Sequence, residues 1–420
     1  MISSHQLIRY SHRKDETVYI HNKSISTNTR RYWNVCVHSV ASEIAHRGFQ
    51  VSVVCYSNDG KYHEELYNNL RVYKVPVPFF LREIQSNSSL LKKIFRLFSL
   101  AAKLVHIRDY PLRSTLLVSR YVKTIKRIID LNNQITIVAS YTPLEAVVAM
   151  LKIKKAYKGI TAIFYSTDTL SNEKGNEGML SIETRTAKGI RWEKRILSNI
   201  DMAIIMECHM NYYLGEQYKL FFPKMVTANF PLLKPQKIIS AQKFKGCKKT
   251  LVYAGTLYKK LRNPSFLCEI LYSVLQCSPI NVVFMGGGDC DDIMGSYVDK
   301  SSGVIQFLGM QSHSEAMKYI KECDILLSIG NNESPMAPSK IYEYMSTGKP
   351  IIHTYTWEKD PCIEPLMKYG NALLLNEKEE VDVNSICKFI EDSYIIPYSD
   401  VKAKFMSATP EYTADLICNL

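Results

Sequence analysis

Apolar residues in the first half of the chain fall into short β-branched runs separated by longer stretches with helical spacing. The runs TVYI (17–20), QVSVVCY (50–56), LRVYKVPV (70–77), ITIVAS (135–140), ITAIFYS (160–166) and MAIIM (202–206) are predicted strands. Their Val, Ile and Tyr residues suit a pleated, buried surface. Between the first two, NVCVHSVASEIAHRG (34–48) repeats apolar residues at helical intervals and ends on Gly48, a residue that closes helices well. Strand, helix and strand in alternation predict a parallel sheet wrapped by helices. The segment NFPLLKPQK (229–237) breaks this rhythm with two prolines, so a boundary is expected there, between domains 1–230 and 231–420. The rhythm then resumes: strand 250–255, helix 264–276, strand 280–288 with a glycine turn, strand 303–309, helix 312–323, strand 324–330, a further helix, and strand 350–355. The expected fold class is α/β, with two doubly wound, Rossmann-like domains facing a cleft and ligands bound at the carboxyl ends of the strands.

Composition narrows the class. At 420 residues the chain exceeds one typical core, and 46% hydrophobic with 22% charged residues is an ordinary globular balance that excludes a disordered or fibrous chain. Charge is uneven. Residues 1–230 carry 33 Lys+Arg against 18 Asp+Glu, a net +15, whereas residues 231–420 carry 20 against 22, a net −2. The first half is therefore expected to face something anionic, unless the excess is only a solvated surface. Eleven scattered cysteines without a C-x-x-C pair suggest reduced thiols, with no disulfide framework and no zinc site. The N-terminal stretch lacks the apolar core of a signal peptide, and no run has the length of a membrane span, so a cytoplasmic location with at most peripheral membrane contact is expected.

The stretch APSKIYEYMSTGKPII (337–352) carries the clearest chemistry. Pro338 suits the first helical position, where its missing N–H would have no partner. The amides of Ser339, Lys340 and Ile341 then stand at the positive end of the helix dipole as a phosphate cradle, and Lys340 adds a full charge. Glu343 shares a face with Ser339 and Lys340, while Ile341, Tyr344 and Met345 mark the core-facing stripe. Gly348 and Pro350 stop the helix. A carboxylate one turn past a phosphate site is placed to accept two hydrogen bonds from a ribose diol. The same spacing also fits a surface Glu343–Lys340 pair worth about half a kcal/mol or less.

The motif PSKIYEYMSTGKPII resembles the donor site of GT-B glycosyltransferases of the large retaining family that includes mannosyl-, glucosyl- and N-acetylhexosaminyltransferases of bacterial polysaccharide assembly. The similarity continues through LVYAGTLYKKLRNPSFL, VVFMGGGD, VIQFLGMQSHSEAMKYIKECDILLSIG and the domain-joining ANFP, in family order. It covers most of residues 250–355 and the first half only loosely. The resemblance implies that Glu343 holds the ribose hydroxyls and that Ser339, Lys340 and the helix N-terminus hold the diphosphate. Gly255 sits where the backbone approaches the donor, and Phe307 to Gly309 lie against the base. The family usually places Arg directly after that glycine, but here Thr256 stands there. Arg262 takes the position of the family's later lysine, with Lys259 and Lys260 nearby, either sharing the diphosphate clamp or forming an exposed loop pair. The family's second glutamate, eight positions before the ribose-binding one, is replaced by Pro335, and Glu333 is the nearest substitute. The glycines of GGGD (286–289) are only what a strand-to-helix turn needs.

In the first half, the polar link HNKSISTNTRRYW (21–33) lacks the family's usual glycines. FYSTDTLSNEKGNEG (164–178) resembles the segment in which relatives place a His-Asp pair beside the sugar; Thr167 replaces the histidine and Asp168 is present, as a catalytic acceptor-side residue or as a turn or cap residue. LLKKIFRLFSLAAKLVHIR (90–108) is a basic amphipathic pattern with no acid between Glu83 and Asp109. It fits insertion into an anionic leaflet, or packing on the sheet as an ordinary domain helix. A lipid-linked glycan acceptor would follow from the first.

The reaction implied is metal-independent transfer of a hexosyl or N-acetylhexosaminyl group, with retention, from a UDP- or GDP-linked sugar to a hydroxyl of a glycan or lipid-linked glycan. No cofactor beyond the donor and no metal ligands are expected. An epimerase on the same scaffold and a non-catalytic nucleotide-sugar or partner-binding protein are the alternatives. No nucleic-acid module is recognisable in the basic half.

Overall fold

A computed structural model describes residues 16–20, 32–57, 59–78, 114–129, 134–141, 143–171, 180–236, 248–332 and 339–420, together with Leu97, Ala101 and Pro111. The chain divides into two compact units, residues 1–24, 40–205 and 216–226 in one, and residues 25–39, 206–215 and 227–420 in the other.

The first sheet has eight strands: β1 (Glu16–Ile20), β2 (Gln50–Ser57), β3 (His63–Tyr67), β4 (Leu70–Pro76), β5 (Ile135–Tyr141), β6 (Ile160–Ser166), β7 (Met202–Met206) and β8 (Met225–Ala228), in the order β3-β4-β2-β1-β5-β6-β7-β8. β4, β2, β1, β5, β6 and β7 run parallel, and β3 is antiparallel to β4. The central strands read as near-continuous apolar runs because helices cover a parallel sheet on both faces. The helix Thr115–Ile128 shows the local logic. Ser114 accepts the Leu117 N–H at 3.2 Å as its N-cap, and Leu117, Val118, Tyr121 and Ile125 form its buried stripe. Each such side chain contributes about 1.5–3 kcal/mol by leaving water. All six strands expected here are present. β3 and β8 are additional, and β3 escapes a periodicity argument because its residues are half-buried or exposed at the sheet edge.

The second sheet has six strands: β9 (Lys249–Ala254), β10 (Ile280–Met285), β11 (Ile305–Phe307), β12 (Ile325–Ile329), β13 (Ile351–Tyr355) and β14 (Ala372–Asn376), all parallel, in the order β11-β10-β9-β12-β13-β14. Its core runs from Leu251 and Phe284 through Leu271 and Ile325 to Ile386 and Ile390. Helices Ser265–Val274, Asp291–Lys300, His313–Glu322, Lys340–Met345, Ile363–Tyr369 and Val383–Glu391 connect or follow these strands, and helices Tyr398–Lys404 and Pro410–Cys418 end the unit. Gly348 (φ +71°) and Gly370 (φ +80°) take the left-handed conformation just past two of these helices. Because β10 and β11 lie on one side of β9 and β12 on the other, the strand order reverses between β9 and β12. That is where an open α/β sheet forms its ligand crevice.

Among the described residues, no helix is long and apolar enough to cross a membrane. The basic amphipathic stretch 90–108 lies outside the described residues, apart from the exposed Leu97 and Ala101.

Candidate functional site

The crevice between β9 and β12 is built from three loops of the second unit. β9 ends in Gly255 and Thr256, β10 in Gly286 to Asp289, β12 in Gly330 to Asn332, and the last of these precedes the helix Lys340–Met345. The first two loops are locked at van der Waals limits. A Cβ on Gly286 would lie 1.6 Å from the Gly255 oxygen, and one on Gly288 (φ +153°) would lie 1.6 Å from the Leu257 oxygen. Backbone bonds Gly255 N–H to Met285 O (2.9 Å), Leu257 N–H to Gly287 O (2.9 Å) and Asp289 N–H to Leu257 O (3.1 Å) complete the lock. Two of the three glycines of GGGD therefore make a backbone-to-backbone approach that no side chain would allow. In the sequence these glycines look like ordinary turn residues.

The helix Lys340–Met345 closes the crevice from below. Tyr344 is buried, and its hydroxyl donates to the Ala254 oxygen at 3.3 Å and accepts the Ala254 N–H at 2.9 Å. The β9–β12 ladder registers only as far as Tyr253 with Leu327, so Tyr344 satisfies the backbone where the strands part. Burial holds its phenol well above the usual range, and it stays a neutral donor. Helix periodicity predicts one core stripe, yet every residue from Ile341 to Pro350 is buried, Tyr342 and Glu343 included.

Arg262 reaches the same crevice from the loop after β9. Its Nε donates to Asn331 Oδ1 at 2.6 Å and its Nη1 to Thr256 Oγ1 at 3.2 Å. Both acceptors are neutral, and among the described residues no carboxylate pairs with Arg262, so these two bonds hold its guanidinium in place. Thr256 thus helps to orient the Arg262 guanidinium. Burial pushes the Tyr253 phenol beneath this loop up to about 12, with Arg262 opposing the shift, and its hydroxyl donates to the Thr256 oxygen at 3.1 Å.

Glu343 is 5% exposed and faces two basic groups: Lys340 Nζ lies 3.7 Å from Oε2, and His313 Nε2 lies 3.6 Å from Oε1. Burial pushes the Lys340 ammonium below its ordinary value, and Glu343 pulls it partly back. Glu343, His313, Met317, Lys321, Leu232 and Lys234 border a cavity of about 250 Å³ to which Val35, Ser39 and Gln236 of the same unit also contribute. Among its described lining residues Glu343 is the one carboxylate, set against His313, Lys321 and Lys234, so this lining is biased toward an anionic ligand. His313 was not anticipated. Its signal was the SHSEAM helix start, where Ser312 caps at 3.1 Å from the Glu315 N–H and puts His313 at the first helical position.

The structure thus brings Gly255, Thr256 and Arg262 together, and joins them through Ala254 and Tyr344 to the helix that carries Lys340 and Glu343, with Ser339 as its half-buried N-cap residue. Other candidates lie at the margins of this group or elsewhere. Lys259 Nζ bonds Asp292 Oδ2 at 2.6 Å on the surface, and Lys260 is exposed. Phe307 is half-buried and packs against the core, while Gly309 (φ +63°) accepts the Gly286 N–H at 2.9 Å. Glu333 lies outside the described residues. Asp168, in the first unit, is 9% exposed, and its Oδ1 accepts the Thr169 N–H at 2.8 Å. Its loop is braced by the helix Ile182–Ser198. Glu193, fully buried, accepts the Leu170 N–H at 2.8 Å and the Tyr218 hydroxyl, and a Cβ on Gly189 would lie 2.6 Å from the Ser171 Cα.

Comparison with known proteins agrees with this architecture. Residues 248–391 match the family described as Glycosyl transferases group 1. No curated protein sequence matches the chain. Among solved structures, a sucrose-phosphate synthase from Thermosynechococcus elongatus is similar at TM-score 0.57 and 13% identity, over 96% of this chain and 94% of that one. HepE of Anabaena, in complex with UDP and glucose, is similar at TM-score 0.52 and 13% identity, over 96% and 95%. WaaG, a glycosyltransferase involved in lipopolysaccharide biosynthesis, is similar at TM-score 0.51 and 12% identity, over 96% and 99%. At these identities the likeness shows the fold alone.

Proposed function

Because residues 248–391 are a group 1 glycosyl transferase segment in a chain of GT-B fold, we propose that the protein transfers a hexosyl or N-acetylhexosaminyl group from a UDP- or GDP-linked sugar to a hydroxyl of a glycan or lipid-linked glycan. The observation that carries this reading is that a doubly anchored Arg262 stands on the loop after β9, while the helix bonded to the end of β9 through Tyr344 carries the buried carboxylate Glu343, at the strand-order reversal.

Glu343 accepts the ribose hydroxyls, exchanging its long contacts with Lys340 and His313 for short charge-assisted bonds. Arg262 and Lys340, with the amides around Ser339, hold the diphosphate. As the anomeric C–O bond breaks, negative charge grows on the leaving diphosphate, and charges already fixed in place stabilise it without reorganising. Arg262 fits this role because Asn331 and Thr256 hold its guanidinium before any ligand arrives. The sugar carbon, oxocarbenium-like, is attacked by the acceptor hydroxyl with retention and without a divalent ion. Asp168 and Glu333 are the candidates for the sugar and acceptor side. The stretch 90–108 docks the protein on an anionic membrane surface, where a lipid-linked acceptor resides. The UDP and glucose bound by HepE make UDP-glucose the first donor to try.

The test is thermal unfolding of the protein and its Glu343→Ala variant against UDP, GDP and their sugars. A ligand at a hundred times its dissociation constant adds about 2.7 kcal/mol. The parent should gain that stability with one nucleotide series and the variant should lose most of it. A parent that responds to no nucleotide sugar would overturn the reading. Cosedimentation with phosphatidylserine vesicles tests membrane docking separately, and equal recovery with neutral vesicles would count against it.

A further inference from the structure

The second unit carries a polar cluster that the donor site does not use. His353 lies in β13, and Asp360 and Cys362 lie in the turn leading to helix Ile363–Tyr369. All three are buried, at 0%, 4% and 0% exposure. His353 Nε2 and Asp360 Oδ2 stand 3.8 Å apart, and neither has a hydrogen-bond partner. The Cys362 sulfur completes a triangle in which all three donor atoms lie within 4.8 Å of one another.

The remaining polar atoms of the cluster are already engaged. His353 Nδ1 lies 2.9 Å from Ser328 Oγ, and Asp360 Oδ1 accepts the Cys362 N–H at 2.7 Å. These bonds fix the imidazole and carboxylate so that their other atoms point at a common centre. The surroundings make room for that arrangement, since a Cβ on Gly330 would fall 2.0 Å from Asp360 Oδ2. Buried polar atoms are almost always partnered, so two unpartnered ones facing each other beside a thiol call for a further ligand.

We propose that His353 Nε2, Asp360 Oδ2 and Cys362 Sγ bind a divalent transition-metal ion, zinc being the chemical fit, as a structural clasp separate from the glycosyl-transfer chemistry. The N, O and S donor set suits zinc, whereas calcium and magnesium require oxygen ligands. Zinc bonds of about 2.0–2.2 Å to nitrogen and oxygen put those two donors about 3.3–3.5 Å apart, so the 3.8 Å His353–Asp360 spacing has to close by a few tenths of an ångström, and the sulfur, within 4.8 Å of both, moves in to about 3.6 Å. Ser328 is the outer partner expected of a ligating imidazole. The clasp would tie the β13 turn to Gly330, next to Asn331, which holds Arg262. It lies outside the expectation drawn from cysteine spacing, because its ligands are of three residue types and only folding gathers them.

The full chain, expressed in cobalt-supplemented, zinc-depleted medium, should purify with one cobalt per chain by mass spectrometry and show a thiolate-to-cobalt charge-transfer band in the near ultraviolet. Cys362→Ser should remove that band. Cys387→Ser, which changes a buried thiol outside the cluster, should keep it. His353→Gln should weaken metal retention by more than the roughly 10- to 100-fold typical of losing an outer partner. If the Cys362 and His353 variants fail to fold, the parent decides alone: chains grown with and without zinc should differ in unfolding midpoint. Substoichiometric metal in the parent, a band that survives Cys362→Ser, or equal midpoints would each overturn the proposal and leave His353 and Asp360 as a buried ion pair.

Discussion

Lys349 offers a sharp test of how the donor-site motif is held together. It is 2% exposed, and its ammonium donates to the carbonyls of Ile320 (2.9 Å), Lys321 (2.6 Å) and Cys323 at the C-terminus of helix His313–Glu322. These are carbonyls that a helix end leaves without partners, and a cation there also meets the negative end of the dipole. The Cys323 thiol also donates to the Ile320 oxygen, whereas the other two oxygens have only Lys349 among the described residues. Lys349→Met keeps most of the buried stem and removes the ammonium. Two newly orphaned carbonyls cost about 1–3 kcal/mol each. Relief from burying an ammonium returns part of that, since its desolvation penalty is itself several kcal/mol. The net expectation is a loss of about 1–3 kcal/mol. For a unit of roughly 200 residues this lowers the thermal midpoint by about 2–12 °C. Differential scanning calorimetry with and without donor reads it directly. The variant should also bind donor more weakly, because the loosened helix begins at His313, which faces Glu343 at 3.6 Å. A variant as stable as the parent within about half a kcal/mol would refute the reasoning, showing that desolvation cancels the three bonds.

Gly286→Ala should abolish the nucleotide-induced rise in midpoint, since its Cβ would overlap the Gly255 oxygen. Gly295→Ala, in the helix Asp291–Lys300 with nothing within 4 Å, should instead stabilise by about 0.4–1 kcal/mol. An unaltered ligand response in the first variant would show that the two loops move apart freely. Tyr344→Phe strands the Ala254 N–H and should lose about 1–2 kcal/mol in urea titrations; an unchanged midpoint would mean that water takes over the bond. Binding a diphosphate should restore the depressed ammonium of Lys340 toward its ordinary pKa, so that association takes up protons at alkaline pH and affinity falls as pH rises through the lowered value. Calorimetry in two buffers of different ionisation enthalpy measures this uptake, and identical heats at alkaline pH would contradict it.

Much of this architecture is legible in the sequence because parallel strands buried on both faces leave runs such as TLVYAG and DILLSIG that local pattern alone identifies. Arg262 and Glu343 were singled out by their positions in motifs that resemble those of the glycosyltransferase family, with the spacing of Glu343 from Ser339 and Lys340 fitting either a ligand contact or an ion pair. The unread features are those in which meaning arises from a distant partner. His313 matters because helix His313–Glu322 packs where Glu343 emerges. Tyr344 had a place in the core stripe, yet its hydroxyl finds Ala254, 90 residues away. Lys349, in STGKP, looks like a surface lysine until the helix end it caps is known. Edge strand β3, HEELY, carries no buried alternation, so periodicity had nothing to detect.

The strand order has a consequence for synthesis. In the second sheet the first strand made, β9, becomes an interior strand. Each later one joins an edge already laid down: β10 and β11 on one side, then β12, β13 and β14 on the other. No strand must be inserted between two earlier ones. In the first sheet β1 has the same position, and the β3–β4 hairpin docks beside β2 as a pair. A chain emerging from the ribosome can therefore build each sheet outward in the order of translation, and a premature stop removes edge strands while leaving the founding strand in place.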